Sequence, residues 1–99
     1  MNVRYTLHNV AFEWDSRKAA ANFRNHDVSF ELACEVFFDP FVCYRDDEAV
    51  DGELRETVIG LTTTWQLLYV VYVMRDDNII RIISGRLVTK AERDVYENQ

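Results

Sequence analysis

The chain has 99 residues, 48% of them hydrophobic and 28% charged, and its formal net charge at pH 7 is −6. This composition excludes a disordered chain and predicts one globular domain over residues 1–99, while the negative charge argues against broad nonspecific affinity for nucleic acid. With no apolar run of about 18 residues and no signal-peptide pattern at the start, we expect a cytoplasmic protein without a membrane partner.

The first part of the chain carries a strand pattern followed by a helix pattern. Residues 3–14 predict extended structure, either as one long strand or as a short hairpin that turns at Asn9. Asp15 or Ser16 is then expected to cap a first helix. Its predicted apolar stripe consists of Ala19, Ala20 and Phe23. Beside that stripe, a four-residue spacing predicts a polar stripe of Lys18, Asn22 and His26.

A second helix is predicted to begin after Ser29, which is a good N-cap. It is expected to end at Asp39-Pro40, because proline disfavours helical geometry in the residue before it. Its expected core face consists of Phe30, Ala33, Cys34 and Phe37. Cys34 and Cys43 lack zinc-ligand spacing, so we interpret them as a core thiol and a strand thiol.

Four strands and a last helix are predicted for the rest of the chain. Residues 41–45 predict a short strand, and the acidic stretch DDEAVDGE predicts a loop with Gly52 as its turn residue. LRETVIGLT, WQLLYVVYVM and IIRIISGRLV predict three more strands. Thr89 and Glu92 have the spacing of a capping box, which opens a helix to about Glu97. This order predicts an α+β fold with an antiparallel sheet.

Two arginines lie on the last predicted strand, in the stretch RIISGR. Guanidinium groups bind phosphate oxygens through two parallel hydrogen bonds and stabilise charge on a phosphoryl group. Arg81 and Arg86 would point to opposite faces of a regular strand, whereas a bulge at Gly85 would bring both to one face. The alternative is that both arginines are structural. Their partners would then be Glu35, Glu56 or Glu92.

His26 also has two interpretations. Near a helix end it interacts favourably with the helix dipole, and as a histidine it is a candidate general acid or base. Tyr96 on the last helix is likewise either a proton-transfer group or a packing residue. The histidines lack metal-ligand spacing and no glycine-rich phosphate loop is present, so we expect no metal and no cofactor.

The order of several short motifs resembles the BrnT family, the ribonuclease toxins of BrnT/BrnA toxin-antitoxin pairs. The resemblance covers residues 11–97 and rests on FEWD, the K…N…H spacing, the helix end VFFDP, RIISGR and the closing TKAERDVYE. Two positions differ from the usual family pattern. Asp27 stands where glycine is common, and Gly85 stands where alanine is common.

This resemblance implies a RelE-like fold, in which a twisted antiparallel sheet carries two N-terminal helices and a short C-terminal helix. It also implies metal-independent RNA cleavage that arrests translation, and neutralisation by a BrnA-like ribbon-helix-helix antitoxin. The implied partners are an RNA substrate and that antitoxin. DNA would be contacted only through the antitoxin, and a second copy of the chain is a candidate partner in a homodimer.

The resemblance also implies a set of site residues, carried over by position. The set is Lys18, Asn22, His26, Arg81, Ser84, Arg86, Glu92 and Tyr96. The arginines would hold the scissile phosphate, and His26 or Tyr96 would move protons. The remaining substrate-binding residues would be Lys18, Asn22 and Ser84. The alternatives are an interaction module that has lost cleavage and an unrelated α+β ligand-binding domain with a closed apolar pocket.

Overall fold

The computed structural model describes residues 1–99, apart from the side chain of Asp77. Within this described part, one sheet carries helices on both of its faces. The strands are β1 (Asn2–Leu7), β2 (Val10–Asp15), β3 (Cys43–Val50), β4 (Glu53–Leu61), β5 (Leu67–Arg75) and β6 (Ile79–Leu87). The helices are α1 (Ser16–His26), α2 (Phe30–Cys34) and α3 (Lys90–Glu97), and α2 continues into a 3-10 turn at Glu35–Phe38.

The sheet is mixed, with the strand order β1-β2-β6-β5-β4-β3. The α+β class is confirmed, but the expectation of an antiparallel sheet is wrong at one place. There β2 and β6 run parallel, with Phe12 opposite Ile80 and Glu13 opposite Arg81. The parallel pair arises because α1 and α2 cross one face after β2, and the antiparallel strands β3 to β6 then bring the chain back beside β2 in the same direction.

Two tight turns form hairpins. The first was one of two alternatives for residues 3–14, and the second lies in the acidic stretch that was predicted to be a loop. Residues 2–15 form the hairpin β1-β2, whose turn residues His8 and Asn9 have φ values of 48° and 66°. The acidic stretch is not a loop, because β3 extends to Val50 and pairs with β4. Asp51 and Gly52 alone make that turn, with φ values of 51° and 81°. Two consecutive positive φ angles suit the right-handed twist of a hairpin.

The predicted helix caps are confirmed. Asp15 accepts a hydrogen bond from the backbone N–H of Lys18, and Ser29 accepts one from Leu32. Thr89 and Glu92 form the capping box of α3. The 3-10 turn ends at Phe38, directly before Asp39-Pro40, as expected from the proline.

The main core lies between the sheet and the pair α1 and α2. Its buried members are Phe12, Trp14, Val28, Phe30, Ala33, Cys34, Val36, Val58, Leu68, Val70, Tyr72 and Ile82. The predicted core face of the second helix is therefore confirmed, with Phe37 packed against it. An added Cβ at Gly60 would lie 2.7 Å from Val36 Cβ, so the 3-10 turn rests directly on β4.

The predicted apolar stripe of α1 is wrong at Ala20 and Phe23, whereas Ala19 packs against the core. Ala20 is exposed and Phe23 is 54% exposed, whereas Asn22 is the buried residue of this helix. The reason is local, because the side chain at position 22 faces backbone polar groups of Val28 and Gly85. A polar side chain at Asn22 satisfies those groups, and an apolar one would leave them without partners.

Candidate active site

A bulge in β6 places the two arginines on one face of the sheet. Ser84 pairs with Val71 and Ile82 pairs with Tyr72, so Ile83 is the extra residue of the bulge. The sequence predicted a bulge at Gly85, but the bulge lies two residues earlier, at Ile83. Arg81 is opposite Val73 and Arg86 is opposite Tyr69, and these two residues of β5 project to the same face. The face is the one that carries α3.

The guanidinium group of Arg86 is held by an acid and an aromatic ring. Its two terminal nitrogens donate to the two carboxylate oxygens of Glu92 at 2.8 and 2.9 Å. The group also lies 4.3 Å from the centre of the Tyr69 ring. The hydrogen bonds with Glu92 raise the pKa of Arg86 and lower the pKa of Glu92, so both groups are charged at neutral pH.

Arg81 is anchored at the other end of the same face. Its Nη1 atom donates to Glu13 at 2.7 Å and to the side chain of Asn2 at 2.8 Å. Glu13 lies on β2, and its second carboxylate oxygen is 3.5 Å from Arg4. The predicted pairing of Arg86 with Glu92 is confirmed, whereas Arg81 pairs with Glu13 and not with Glu35, Glu56 or Glu92.

Asn22 fastens α1 to the edge of β6. Its amide nitrogen donates to the carbonyl oxygens of Gly85 at 2.8 Å and Val28 at 2.9 Å, and its amide oxygen accepts from the Gly85 N–H at 3.2 Å. Since β2 pairs with β6 only near Arg81, this side chain takes the place of a neighbouring strand farther along β6. The amide is therefore a structural link between α1 and the strand segment that carries Ser84 and Arg86.

Lys18 and His26 flank Asn22 on α1, one helical turn to either side, and both are exposed. Among the described residues, neither side chain makes a hydrogen bond or an ion pair. Ser84 is half-buried and lies on the other side of β6 from α1. The structure therefore places Arg81, Ser84 and Arg86 on one face, with the two arginines opposite β5 residues that are four positions apart. Lys18 and His26 lie on the helix beside the edge of the same strand.

Tyr96 lies on the same helix as Glu92, one turn later, and its hydroxyl donates to Asp39 at 2.6 Å. Burial and this hydrogen bond raise the pKa of Tyr96 to about 12. Asp39 also accepts from the backbone N–H groups of Phe41 and Leu61. One carboxylate thus joins α3, the end of the 3-10 turn and β4.

Three residues around this site were not singled out from the sequence, namely Glu13, Asp39 and Tyr69. Glu13 alternates with the buried Phe12 and Trp14, which indicates that it faces away from the core. Its partner could not be inferred, because the contact requires the parallel pairing of β2 with β6. Tyr69 lies in a predicted strand, but its place under Arg86 depends on the register of β5 and β6.

The described residues carry neither a cluster of metal ligands nor a membrane-spanning helix. They contain no group of three or more His, Cys, Asp or Glu side chains arranged to hold a metal ion. None of the described helices is long and apolar enough to cross a membrane.

Comparisons with known proteins identify the family. The chain is similar in structure to the Brucella abortus ribonuclease toxin BrnT, with a TM-score of 0.53 and 17% identity over 78% of this chain and 94% of that one. No curated protein matched the chain in a sequence search. The family model described as "Ribonuclease toxin, BrnT, of type II toxin-antitoxin system" matches residues 14–92. Because this match spans well over half of its length, the chain belongs to the BrnT family of type II toxin-antitoxin systems.

Proposed function

We propose that this chain is a metal-independent endoribonuclease that arrests translation in the cytoplasm. The observation that carries the proposal is the placement of Arg81, Ser84 and Arg86 on one face of β6 by the bulge at Ile83. Guanidinium groups along one surface suit an RNA backbone, because they bind its phosphates and stabilise the charge that increases on the scissile phosphate during attack. Membership in a family of ribonuclease toxins supports the same reaction.

The reaction that fits these groups is attack by a ribose 2′-oxygen on the neighbouring phosphorus. A base takes the 2′-hydroxyl proton, the bond from phosphorus to the 5′-oxygen breaks, and an acid gives that oxygen a proton. The products are a 2′,3′-cyclic phosphate and a 5′-hydroxyl group. Tyr96 stays protonated at neutral pH because its pKa is raised to about 12, and we assign it as the proton donor, which requires its single O–H to turn from Asp39 to the leaving oxygen. His26 is then the base.

Both arginines keep donors for a phosphate even though each is paired with an acid. Arginine carries five N–H donors. In the described contacts of Arg81, only Nη1 is engaged, which leaves the edge formed by Nε and Nη2 for a ligand. Arg86 uses Nη1 and one hydrogen of Nη2. We therefore assign Glu13 and Glu92 as residues that hold the guanidinium groups in position.

The other roles follow from exposure and placement. Lys18 is exposed beside the edge of β6, which suits contact with the RNA backbone, and Ser84 is placed to contact the substrate between the two arginines. Asn22 acts through the position of α1, since its amide is already hydrogen-bonded within the fold. We thus replace its expected substrate contact with a positioning role.

We further propose that the fold is RelE-like and that the partner is a BrnA-like ribbon-helix-helix antitoxin that covers the arginine face. DNA would then be contacted only through the antitoxin. A homodimer of this chain is a second proposed assembly. A neighbouring reading frame that encodes a ribbon-helix-helix protein, and copurification of that protein with this chain, would support the pairing.

Induction of the chain alone in a bacterial host tests the proposed activity. We expect growth arrest and fragmentation of bulk RNA with the parent chain, and neither effect with Arg86→Gln. The matched control is Arg93→Gln, which removes the same charge from an exposed position on α3. Unimpaired growth and intact RNA with the parent chain, at an expression level confirmed by blotting, would refute the proposal.

The second candidate function is an interaction module without cleavage. It is favoured by the ion pairs of Arg81 with Glu13 and of Arg86 with Glu92, which already use some of the N–H donors of each arginine. This candidate predicts that the parent chain and Arg86→Gln are equally harmless when induced, while both still bind the antitoxin.

A further inference from the structure

A groove on the arginine-bearing face combines anionic acceptors with a cationic donor. It has a volume of about 330 Å³ and lies between the start of β3 and the middle of β4, β5 and β6. Its polar lining includes Asp46, Glu48, Arg55, Thr57, Tyr69 and Ser84. Thr57 fixes one wall, because its hydroxyl accepts from the Asp46 N–H at 2.9 Å and donates to the Asp46 carbonyl at 3.1 Å.

Arg55 lines this groove, and its side-chain donors make no hydrogen bond with the described residues. Its Nε atom is buried and, within the described part of the chain, is the one buried side-chain polar atom without a hydrogen-bond partner. No ion pair within 4.0 Å joins Arg55 to a described acid, although Asp46 and Glu48 line the same groove. The guanidinium group of Arg55 lines the groove and has donors that no described residue engages, which leaves it for a ligand acceptor.

We propose that this groove recognises a guanine base of the RNA substrate, which extends the ribonuclease function proposed above. A phosphate is a poor fit, since Asp46 and Glu48 would repel it. Guanine presents two adjacent donors, N1–H and the N2 amino group, which match a carboxylate. It also presents two adjacent acceptors, O6 and N7, which match the fork of an arginine.

The other bases match this lining less well. Adenine and cytosine each offer one amino group beside a ring acceptor, and that acceptor would face a carboxylate. Uracil offers one N–H between two carbonyl oxygens. Only guanine has paired donors for a carboxylate and paired acceptors for Arg55, and single-stranded RNA exposes these edges.

The position of the groove links it to the proposed cleavage site. Tyr69 lines the groove and also carries the guanidinium group of Arg86 over its ring at 4.3 Å. Ser84 lines the same groove and is separated from Arg86 by one residue. A base held against this lining therefore has its own phosphate beside Arg86. The acidic β3-β4 hairpin then serves base selection, which gives the net negative charge a role in an enzyme that acts on RNA.

Two measurements on the purified chain test the inference. The first is equilibrium binding of guanosine 3′-monophosphate and adenosine 3′-monophosphate, followed by calorimetry. The second is mapping of cleavage positions on a single-stranded RNA of mixed sequence. We expect tighter binding of the guanosine nucleotide and cleavage next to guanosine. Arg55→Gln and Glu48→Gln should each reduce the preference for guanosine over adenosine by about tenfold.

The matched control is Arg45→Gln, an exposed arginine on β3 outside the groove lining, which should leave both measurements unchanged. Glu48 is exposed, so its variant reports on recognition even if Arg55→Gln unfolds. Cleavage without base preference would overturn the groove proposal and leave the ribonuclease proposal intact. Selective guanosine binding that Arg55→Gln abolishes would sustain the groove proposal even if no RNA were cut. Equal binding of both nucleotides would overturn it.

Discussion

The side-chain amide of Asn22 is hydrogen-bonded to both backbone groups of Gly85, to the carbonyl oxygen at 2.8 Å and to the N–H at 3.2 Å. One asparagine thus provides hydrogen-bond partners for the backbone of β6 beyond Arg81, the last residue that is paired with β2. Because Ser84 and Arg86 flank Gly85 and because His26 lies one turn beyond Asn22, this contact sets the position of α1 relative to the proposed cleavage site.

Asn22→Ala should therefore destabilise the fold. The substitution leaves the Gly85 N–H, the Gly85 carbonyl and the Val28 carbonyl without their side-chain partner. We expect the free energy of unfolding to fall by about 2–4 kcal/mol, measured by urea denaturation. Asn25→Ala, at an exposed position of the same helix, should change it by less than about 0.5 kcal/mol. Equal effects of the two variants would contradict the structural role of Asn22.

Two glycines should respond very differently to an added methyl group. A Cβ at Gly60 would lie 2.7 Å from Val36 Cβ and 2.8 Å from the Val36 carbonyl oxygen, so the 3-10 turn must shift. We expect Gly60→Ala to lower the free energy of unfolding by about 3 kcal/mol. At Gly85 the nearest atom, Ala33 Cβ, is 3.3 Å away, so Gly85→Ala should cost less than about 1 kcal/mol. Thermal unfolding of the two variants side by side checks this order.

The ion pair between Arg86 and Glu92 should make stability depend on pH in the acidic range. Its hydrogen bonds lower the pKa of Glu92 below the usual value of 4.5. A carboxyl group whose pKa is lowered by folding stabilises the folded state at pH values above its unfolded-state pKa. This stabilisation is lost as the pH falls through the folded-state pKa. At pH 7, Glu92→Gln should therefore be less stable than the parent by about 1 kcal/mol, and the difference should shrink below pH 4.5. A difference that stays constant between pH 7 and about pH 3 would contradict this role.

Tyr96→Phe should lower the cleavage rate without changing the shape of its pH dependence near neutrality. The pKa of Tyr96 is raised to about 12, so the phenol does not titrate between about pH 6 and pH 9. We expect a loss of about tenfold or more in kcat, measured with a defined RNA at several pH values. If the parent shows an inflection in the neutral range that Tyr96→Phe lacks, Tyr96 titrates there and the raised pKa is contradicted.

Much of the fold follows from local sequence signals. The caps at Asp15, Ser29 and Thr89 and the proline after Asp39 are decided by neighbours along the chain, and these predictions were confirmed. The prediction of a loop in the acidic stretch is wrong because a run of charged residues is also typical of a solvated loop. A two-residue turn at Asp51 and Gly52 is compatible with that composition, but only strand pairing reveals it.

The residues around the candidate site were less predictable, because their contacts join distant parts of the chain. The sequence indicated that Arg81 and Arg86 need one extra residue between them, but the bulge occurs at Ile83 and not at Gly85. The buried role of Asn22 contradicts the usual expectation that a helix packs through apolar residues. Tyr69 and Glu13 were missed since their partners depend on strand register and on the parallel pair.

Cleavage of a single-stranded RNA by the purified chain in the presence of excess EDTA tests the central claim most directly. We predict RNA fragments that end in 2′,3′-cyclic phosphate, formed at the same rate with and without the chelator. Arg86→Gln should reduce kcat/KM by about a hundredfold or more while it retains the parent's circular dichroism spectrum. Products that require a divalent metal ion, or equal cleavage by the parent chain and Arg86→Gln, would contradict the claim.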